Sequence, residues 1–106
     1  MKSDVIVVLT TVVNSGEAER LARKIVEAKL AACVQILPPM MSVYIWENAV
    51  QTAAENLLLI KTLAGKFDEL EKFIREHHSY ETPEIVALAA ENISASYLGW
   101  LQNSLA

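Results

Sequence analysis

The chain reads as an α+β fold, a split βαβ sandwich in the order β-α-β-β-α-β with a long hairpin between its second and third strands and a helix at its carboxyl end. Three observations predict it. Apolar, β-branched strings alternate with segments whose apolar residues recur at helical spacing. Two strand-like strings follow one another across a short polar turn in the middle of the chain. Finally, 106 residues are enough for one compact core and too few for two, so one domain, residues 1–106, is expected.

From Asp4 to Val12 the sequence is almost continuously apolar, the pattern of a central strand covered on both faces. Asn14 stands three residues before Glu17 as a capping pair, and Ala18, Leu21, Ala22, Ile25 and Val26 then share one face, which predicts a helix to about Lys29. Glu19 and Arg23 are spaced i,i+4 on its outer side. KLAACVQILP returns to strand composition, Pro38 and Pro39 interrupt it, and SVYIW resumes it, so one long strand with a break or bulge is expected. A polar turn around Glu47 and Asn48 leads to NLLLIKT at 56–62, the second arm of the hairpin.

In the next segment Phe67, Leu70 and Ile74 form an apolar stripe, with Asp68 and Glu69 early and Lys72 and Arg75 late, the charge order that a helix dipole favours. Pro83 opens a strand through Glu84 to Leu88, because proline is best tolerated at a strand's first residue. Ser94 caps a last helix carrying Tyr97, Leu98, Leu101 and Leu105. Right-handed crossovers would place the first two helices on one face of an antiparallel sheet, a ferredoxin-like arrangement. The other face and the hairpin edges, with Tyr44, Ile45 and Trp46 near the tip, would then be bare and apolar in a monomer, which calls for oligomerisation.

Composition narrows the function. The hydrophobic share is 53%, yet no apolar run has the eighteen or so residues of a membrane helix, so no membrane association is expected. The formal charge is −4 and no dense Lys/Arg cluster exists, which argues against a nucleic-acid partner. Cys33 is the single cysteine and the start, MKSDVIVVLTT, has only a short apolar run without a cleavage site, so a reducing, cytoplasmic setting is expected. No P-loop, dinucleotide fingerprint or GxSxG string is present, and Gly16, Gly65 and Gly99 are too scattered to cradle phosphate. An enzyme is therefore not expected.

Four strings, KLAACVQILP, SVYIWEN, LLLIKT and HHSYETPEIVALA, followed by the SYLGWL helix, resemble the CutA (divalent-cation-tolerance) family in order and spacing over nearly the whole chain. The resemblance implies a trimer of ferredoxin-like subunits whose long hairpins pair across subunit boundaries, linked to tolerance of copper and other divalent cations and without an established catalytic reaction. Three departures stand out. Asn48-Ala49 follows Trp46-Glu47 where the family usually has glycine and lysine; Ser79 stands where the family's His-Pro-Tyr-Glu motif has proline; and Thr10 matches a position where some members carry a cysteine that binds copper.

Candidate sites each admit two readings. His77 and His78, the only histidines, have imidazoles suited to copper or zinc, and the family resemblance supports them as ligands of a copper ion. Adjacent side chains diverge by roughly 100° on a helix, however, so one ion is clasped only if the helix ends between them, and otherwise they serve as cations at a helix carboxyl end. Cys33 is either a thiolate ligand or a small core residue. Tyr44, Trp46, Lys61, Tyr80, Glu81 and Glu84 match family positions that gather in a cleft between subunits, as a pocket for a metal, anion or metabolite or as aromatic packing of the seam with Lys61 and Glu84 paired.

Alanine at Ala49, Ala53, Ala54 and Ala64, near Met40 and Met41, marks either a second protein interface, natural or engineered, or neutral drift. Two functions follow. One is a homotrimer for cation tolerance with weak copper binding; the other is a structural or signalling trimer that binds a protein partner or small metabolite.

Overall fold

A computed structural model describes residues 4–106. Residues 1–3 of the expected domain, and with them the MKS start, lie outside the described residues. The order is β1 (Val5–Val12), α1 (Ser15–Glu27), β2 (Cys33–Ile36), β3 (Met40–Trp46), β4 (Ala49–Leu63), α2 (Phe67–His77), β5 (Val86–Ala89) and α3 (Ala95–Ser104), with a single 3-10 turn, Ala64–Lys66, leading into α2. The main sheet runs β2-β4-β1-β5 with every neighbour antiparallel, and β3 pairs with the first half of β4. This is the ferredoxin-like sandwich. Each crossover helix joins two parallel strands that flank an antiparallel one.

Alternation along β1 and β4 sets the layers. Ile6, Val8 and Val12 of β1 and Leu58 and Ile60 of β4 pack under Leu21 and Ile25 of α1 and Leu70 and Ile74 of α2. On the opposite face Val5 and Leu63 meet Leu101 and Leu105 of the α3 region. That helix covers one end of the face, and Val7, Leu9, Leu57 and Leu59 stay half-buried. The full cover on both faces expected for Asp4–Val12 is thus reached at the two ends of the strand, where Val5 and Thr11 are buried, and not at Val7 and Leu9 between them.

The caps follow from local chemistry. The Asn14 side chain accepts the Glu17 amide at 2.8 Å and opens α1, and Ser94 accepts the Tyr97 amide at 3.4 Å and opens α3. Helix α1 stops at Glu27, two residues before the expected Lys29, because Lys29 adopts φ 58° and turns the chain. KLAACVQILP accordingly yields a strand only over Cys33–Ile36, and the expected single broken strand is two, β2 and β3, separated by 37–39. Pro38 and Pro39 contribute no amide donors there. The Leu37 amide bonds to Leu57, and the Asn56 side chain donates to the Leu37 carbonyl at 3.0 Å, which satisfies the backbone at the break.

Strand β5 begins at Val86, so Pro83 lies in the preceding loop instead of opening the strand. The hairpin is longer than 56–62 predicts. Its turn is two residues, Glu47 and Asn48, both at positive φ (52° and 63°), the type I′ geometry whose twist matches two antiparallel strands. Ala49, Ala53 and Ala54 therefore lie on the hairpin, within β4 itself, and Ala64 sits just past the far end of that strand, fifteen residues away from Ala49. Met41 faces Ala54 across the hairpin, whereas Ala64 lies ten residues beyond Ala54, roughly 30 Å along the strand, so the alanines and methionines do not form one patch.

One core group lacks a partner. Thr10 is fully buried and its hydroxyl has no hydrogen bond among the described residues. Leaving a buried hydroxyl unpaired costs about 1–3 kcal/mol, and valine has the same shape without that group. Thr10→Val is expected to raise the urea midpoint at unchanged m-value, a gain of about 1 kcal/mol in equilibrium unfolding.

Candidate functional site

The polar groups converge where the end of α2, the loop after it and the middle of β4 meet the end of β1. Helix α2 ends at His77, and His78 has already turned to extended backbone (φ −92°, ψ 144°). The helix thus ends between the two histidines, the one condition under which adjacent rings could share an ion. They do not converge. His77 Nδ1 lies 2.8 Å from the Phe73 carbonyl, so it carries the proton and donates, and the ring stacks on Phe73 at 4.1 Å between centroids.

His78 turns inward. Its Nε2 donates to the Thr11 carbonyl at 2.7 Å, and its Nδ1 accepts the Tyr80 amide at 3.0 Å. A carbonyl only accepts and an amide only donates, so this network assigns the Nε2–H tautomer and occupies both ring nitrogens. His77 Nε2 alone is left to ligate. Both histidines line an open cleft between α1 and the end of α2 that also carries Glu17, Arg20, Lys24 and Glu76, two carboxylates and two cations whose formal charges cancel.

Cys33 and Thr10 do not complete a set. Cys33 pairs across the sheet with Lys61, on the face that α1 and α2 leave uncovered, and it is half-buried rather than a core residue. Thr11, to which His78 is tied, pairs with Leu57, so the cysteine stands four residues further along β4, roughly 13 Å away. Thr10 is sealed in the core. Among the described residues no group of three or more His, Cys, Asp or Glu side chains is placed to hold a metal ion. The protomer's residues do not fit a copper chelate.

The loop after His78 is pinned at three points. Glu17 accepts from the Ser79 amide (3.2 Å) and hydroxyl (3.0 Å), the rings of His78 and Tyr80 tilt together at 4.8 Å, and the Tyr80 hydroxyl donates to Glu55 Oε2 at 2.8 Å. Glu55 is only 8% exposed, and Tyr80 is the one hydrogen-bond donor to its carboxylate among the described residues. Burial pushes the Tyr80 phenol well above its ordinary range. The hydrogen bond to Glu55 and the charge of Glu55 raise it further, with smaller effects of Glu17 and Tyr44.

The expected cleft residues separate within one protomer. Tyr44 lies on the β3 face that also carries Met40, the cross-strand partner of Glu55, so Tyr44, Tyr80 and Glu55 are neighbours. Trp46 pairs with Ala49 at the hairpin tip, whereas Lys61 lies twelve residues along β4 from Ala49, roughly 40 Å away. The Lys61 ammonium is 5.7 Å from the Tyr97 ring centroid, a cation–π contact, and it is not paired with Glu84. Glu81 and Glu84 are exposed in the loop before β5. Sequence reasoning missed Glu55 and Ser79 and read Glu17 only as part of a cap. Glu55 did leave a signal, an acid in line with Leu57, Leu59 and Lys61 on one face of an otherwise apolar strand.

Fold and site together define a ferredoxin-like α+β protein with an overlong hairpin and a Tyr–Glu pair at its base. The family model described as "CutA1 divalent ion tolerance protein" matches residues 6–104. "Protein CutA 1, chloroplastic" of Oryza sativa is 48% identical over 93% of this chain and 56% of its own length, and "Divalent-cation tolerance protein CutA" of Yersinia pestis is 39% identical over 97% and 87%. The chain thus spans about half the length of its plant relatives.

Among solved structures, that of CutA1 from Oryza sativa superposes with a TM-score of 0.93 at 46% identity, covering 97% of this chain and 94% of that one. CutA from Synechococcus elongatus gives 0.95 at 36%, covering 100% and 95%. The periplasmic divalent cation tolerance protein CutA from Archaeoglobus fulgidus gives 0.93 at 34%, covering 96% and 99%. The chain belongs to the CutA1 divalent ion tolerance family. Names within the family place members in chloroplast and periplasm, so membership does not by itself assign a compartment. No helix among the described residues is long and apolar enough to cross a membrane.

The Tyr80–Glu55 pair generates a pH-dependent prediction. In the folded chain Tyr80 keeps its proton where the unfolded chain, with a phenol near pH 10, releases it. The folded state then binds more protons, so this contribution is complete below about pH 10 and falls as pH rises beyond it. Tyr80→Phe is expected to destabilise at neutral pH by about 1–3 kcal/mol, because Glu55 loses its donor, and to flatten the alkaline decline. Urea unfolding at pH 7 and across pH 9–11 measures both, and an equal alkaline slope in the two proteins would contradict the assignment.

Proposed function

We propose that the chain, as one domain spanning residues 1–106, acts as a homotrimer in tolerance of divalent cations, copper among them, in the cytoplasm and without catalysing a reaction. One observation carries this reading. On one face of the β3–β4 hairpin Met41, Val43, Ile45 and Val50 are 73%, 65%, 74% and 73% exposed, a two-stranded apolar surface extending beyond the core of the protomer. Burying such side chains fully is worth about 1.5–3 kcal/mol each, enough in total to offset much of the entropy of association. Further apolar residues on the uncovered sheet, Val86 and Leu88, extend the same demand for cover.

Family membership supports three copies as the answer, and the unpaired Cys33 supports a reducing compartment. In such an assembly Trp46 from one hairpin and Lys61 from a neighbour can approach across a subunit boundary, an approach that their separation along β4 forbids within one protomer, with Glu81 and Glu84 exposed to join them. Of the two histidines, His77 is the one whose ring keeps a nitrogen, Nε2, for a copper contact, one imidazole per subunit.

A second reading has its own support. Among the described residues Glu55 is a buried carboxylate with one neutral donor, and a buried charge is stable when further paired. A trimer scaffold whose cleft takes a small metabolite or a partner's donor group at Glu55 would meet that need.

Light scattering is expected to return three times the 11.7 kDa chain mass, and Ile45→Glu, which puts a charge into the proposed seam, to yield monomer. In cells lacking their own family member, the wild-type chain should restore growth under copper challenge and Ile45→Glu should not. A monomeric wild-type protein would remove the trimer reading, and rescue by the monomeric variant would separate tolerance from assembly.

A further inference from the structure

The family resemblance directs attention to His77 and His78 as a pair. We infer that His78 is instead a positioning residue, a two-sided latch whose ring fastens the loop after α2 to the end of β1 and thereby sets Tyr80 on Glu55, and that the two histidines of this chain do not chelate one metal ion. The inference concerns the protomer alone and stands whether or not the chain trimerises.

Three independent features carry it. First, each His78 ring nitrogen is occupied by a backbone group that cannot exchange roles: the Thr11 carbonyl accepts from Nε2 and the Tyr80 amide donates to Nδ1. A metal needs one of those nitrogens as a lone-pair donor. Binding at Nδ1 would strand the Tyr80 amide, and binding at Nε2 would move the proton to Nδ1 and strand both backbone partners. Second, the hydrogen bond from this loop to β4 is satisfied by the same placement. Tyr80, two residues on, reaches Glu55 at 2.8 Å, so loss of the latch would also leave the nearly buried carboxylate without its donor.

Third, the neighbouring ring is committed elsewhere. His77 is stacked on Phe73 and donates from Nδ1 to the Phe73 carbonyl, so only its Nε2 keeps a free lone pair, and a ring held on its own helix cannot supply a second nitrogen. Thr10, sealed in the core with an unpartnered hydroxyl, offers no third ligand. The latch also explains how the loop keeps its shape with Ser79 at the position where the family motif has proline. The His78 ring bonds to the amide two residues on, and Glu17 fixes the Ser79 amide and hydroxyl.

The test uses the uniformly 15N-labelled full chain and zinc chloride as the probe. Long-range 1H–15N spectra at pH 7.5 are expected to show His78 with a protonated Nε2 and a lone pair on Nδ1, and neither resonance should move on zinc addition, any ring shift being confined to His77. By calorimetry His78→Asn should leave any zinc isotherm within twofold of wild type, and His77→Ala should abolish it. Asparagine can still accept the Tyr80 amide through a turn that closes on the residue two further on, and it cannot reach Thr11. The Tyr80 ring resonances should therefore move to solvent-exposed positions in His78→Ala and return at least partway in His78→Asn, a rescue that a volume-filling role would not give. Zinc shifts of both rings at one stoichiometry, a tenfold loss of zinc affinity in His78→Asn, or a His78 ring found as the Nδ1–H tautomer would each overturn the inference.

Discussion

The whole arrangement depends on β4. This one strand, Ala49–Leu63, pairs with β1, β2 and β3, so its register fixes three others. Its side chains alternate without interruption. Leu58, Ile60 and Thr62 enter the layer under α1 and α2, and Glu55, Leu57, Leu59 and Lys61 point to the other face. A slip by one residue would place a carboxylate and an ammonium in the helix-covered core and expose Leu58 and Ile60, which penalises every alternative pairing. Thr62 adds a side-chain anchor by donating to the Leu30 carbonyl at 2.7 Å, and Asn56 adds another at the proline break. The projecting hairpin follows from the same strand. Paired with β1 and β2 over its second half, β4 runs on past the core, and the Glu47–Asn48 turn brings β3 back along it.

The site follows from where β5 stops pairing. Strand β5 covers β1 only from Ile6 to Leu9, so the Thr11 carbonyl lies past the last pair. A buried carbonyl needs a donor, and the first residue beyond α2 supplies one from its ring. Once His78 is anchored there, the Tyr80 amide falls on its other nitrogen and the phenol falls on Glu55. Backbone accounting at a sheet edge therefore places the polar cluster, and the same accounting removes His78 from the pool of metal ligands.

Sequence reasoning reached what is local and periodic. The stripes of α1 and α2, the Asn14 and Ser94 caps, the proline break and the polar turn all leave marks within a few residues, and the order of elements followed from them. It failed where the deciding contact is remote or the backbone is unusual. Lys29 turns the chain at positive φ without the glycine that announces such a position, so the strand was started four residues early. Cys33 has a strand-like setting, but the face it takes is decided by pairing with Lys61, twenty-eight positions on. The second hairpin arm was read only over 56–62 because Gln51, Thr52 and Glu55 interrupt its apolar pattern, whereas β4 reaches back to Ala49. The adjacency of His77 and His78 suggested a pair, whereas the partners that decide their roles, Phe73 and Thr11, stand on different elements.

The uncovered face of the sheet joins the two readings of function. Leu57 and Leu59 share that face with Glu55, and the hairpin that carries Tyr44 rises directly beyond it. A neighbouring subunit that covered these leucines would lie against the Tyr80–Glu55 pair and further exclude water from it. Lower local polarity strengthens each remaining interaction of the carboxylate and raises the penalty for leaving it with a single donor. Any group that met this need only in the assembled state would stabilise the assembly by its own binding free energy, and assembly would tighten its binding by the same factor. For a protein of this kind, cover for the apolar hairpin and occupancy of the polar cleft are two terms of one equilibrium.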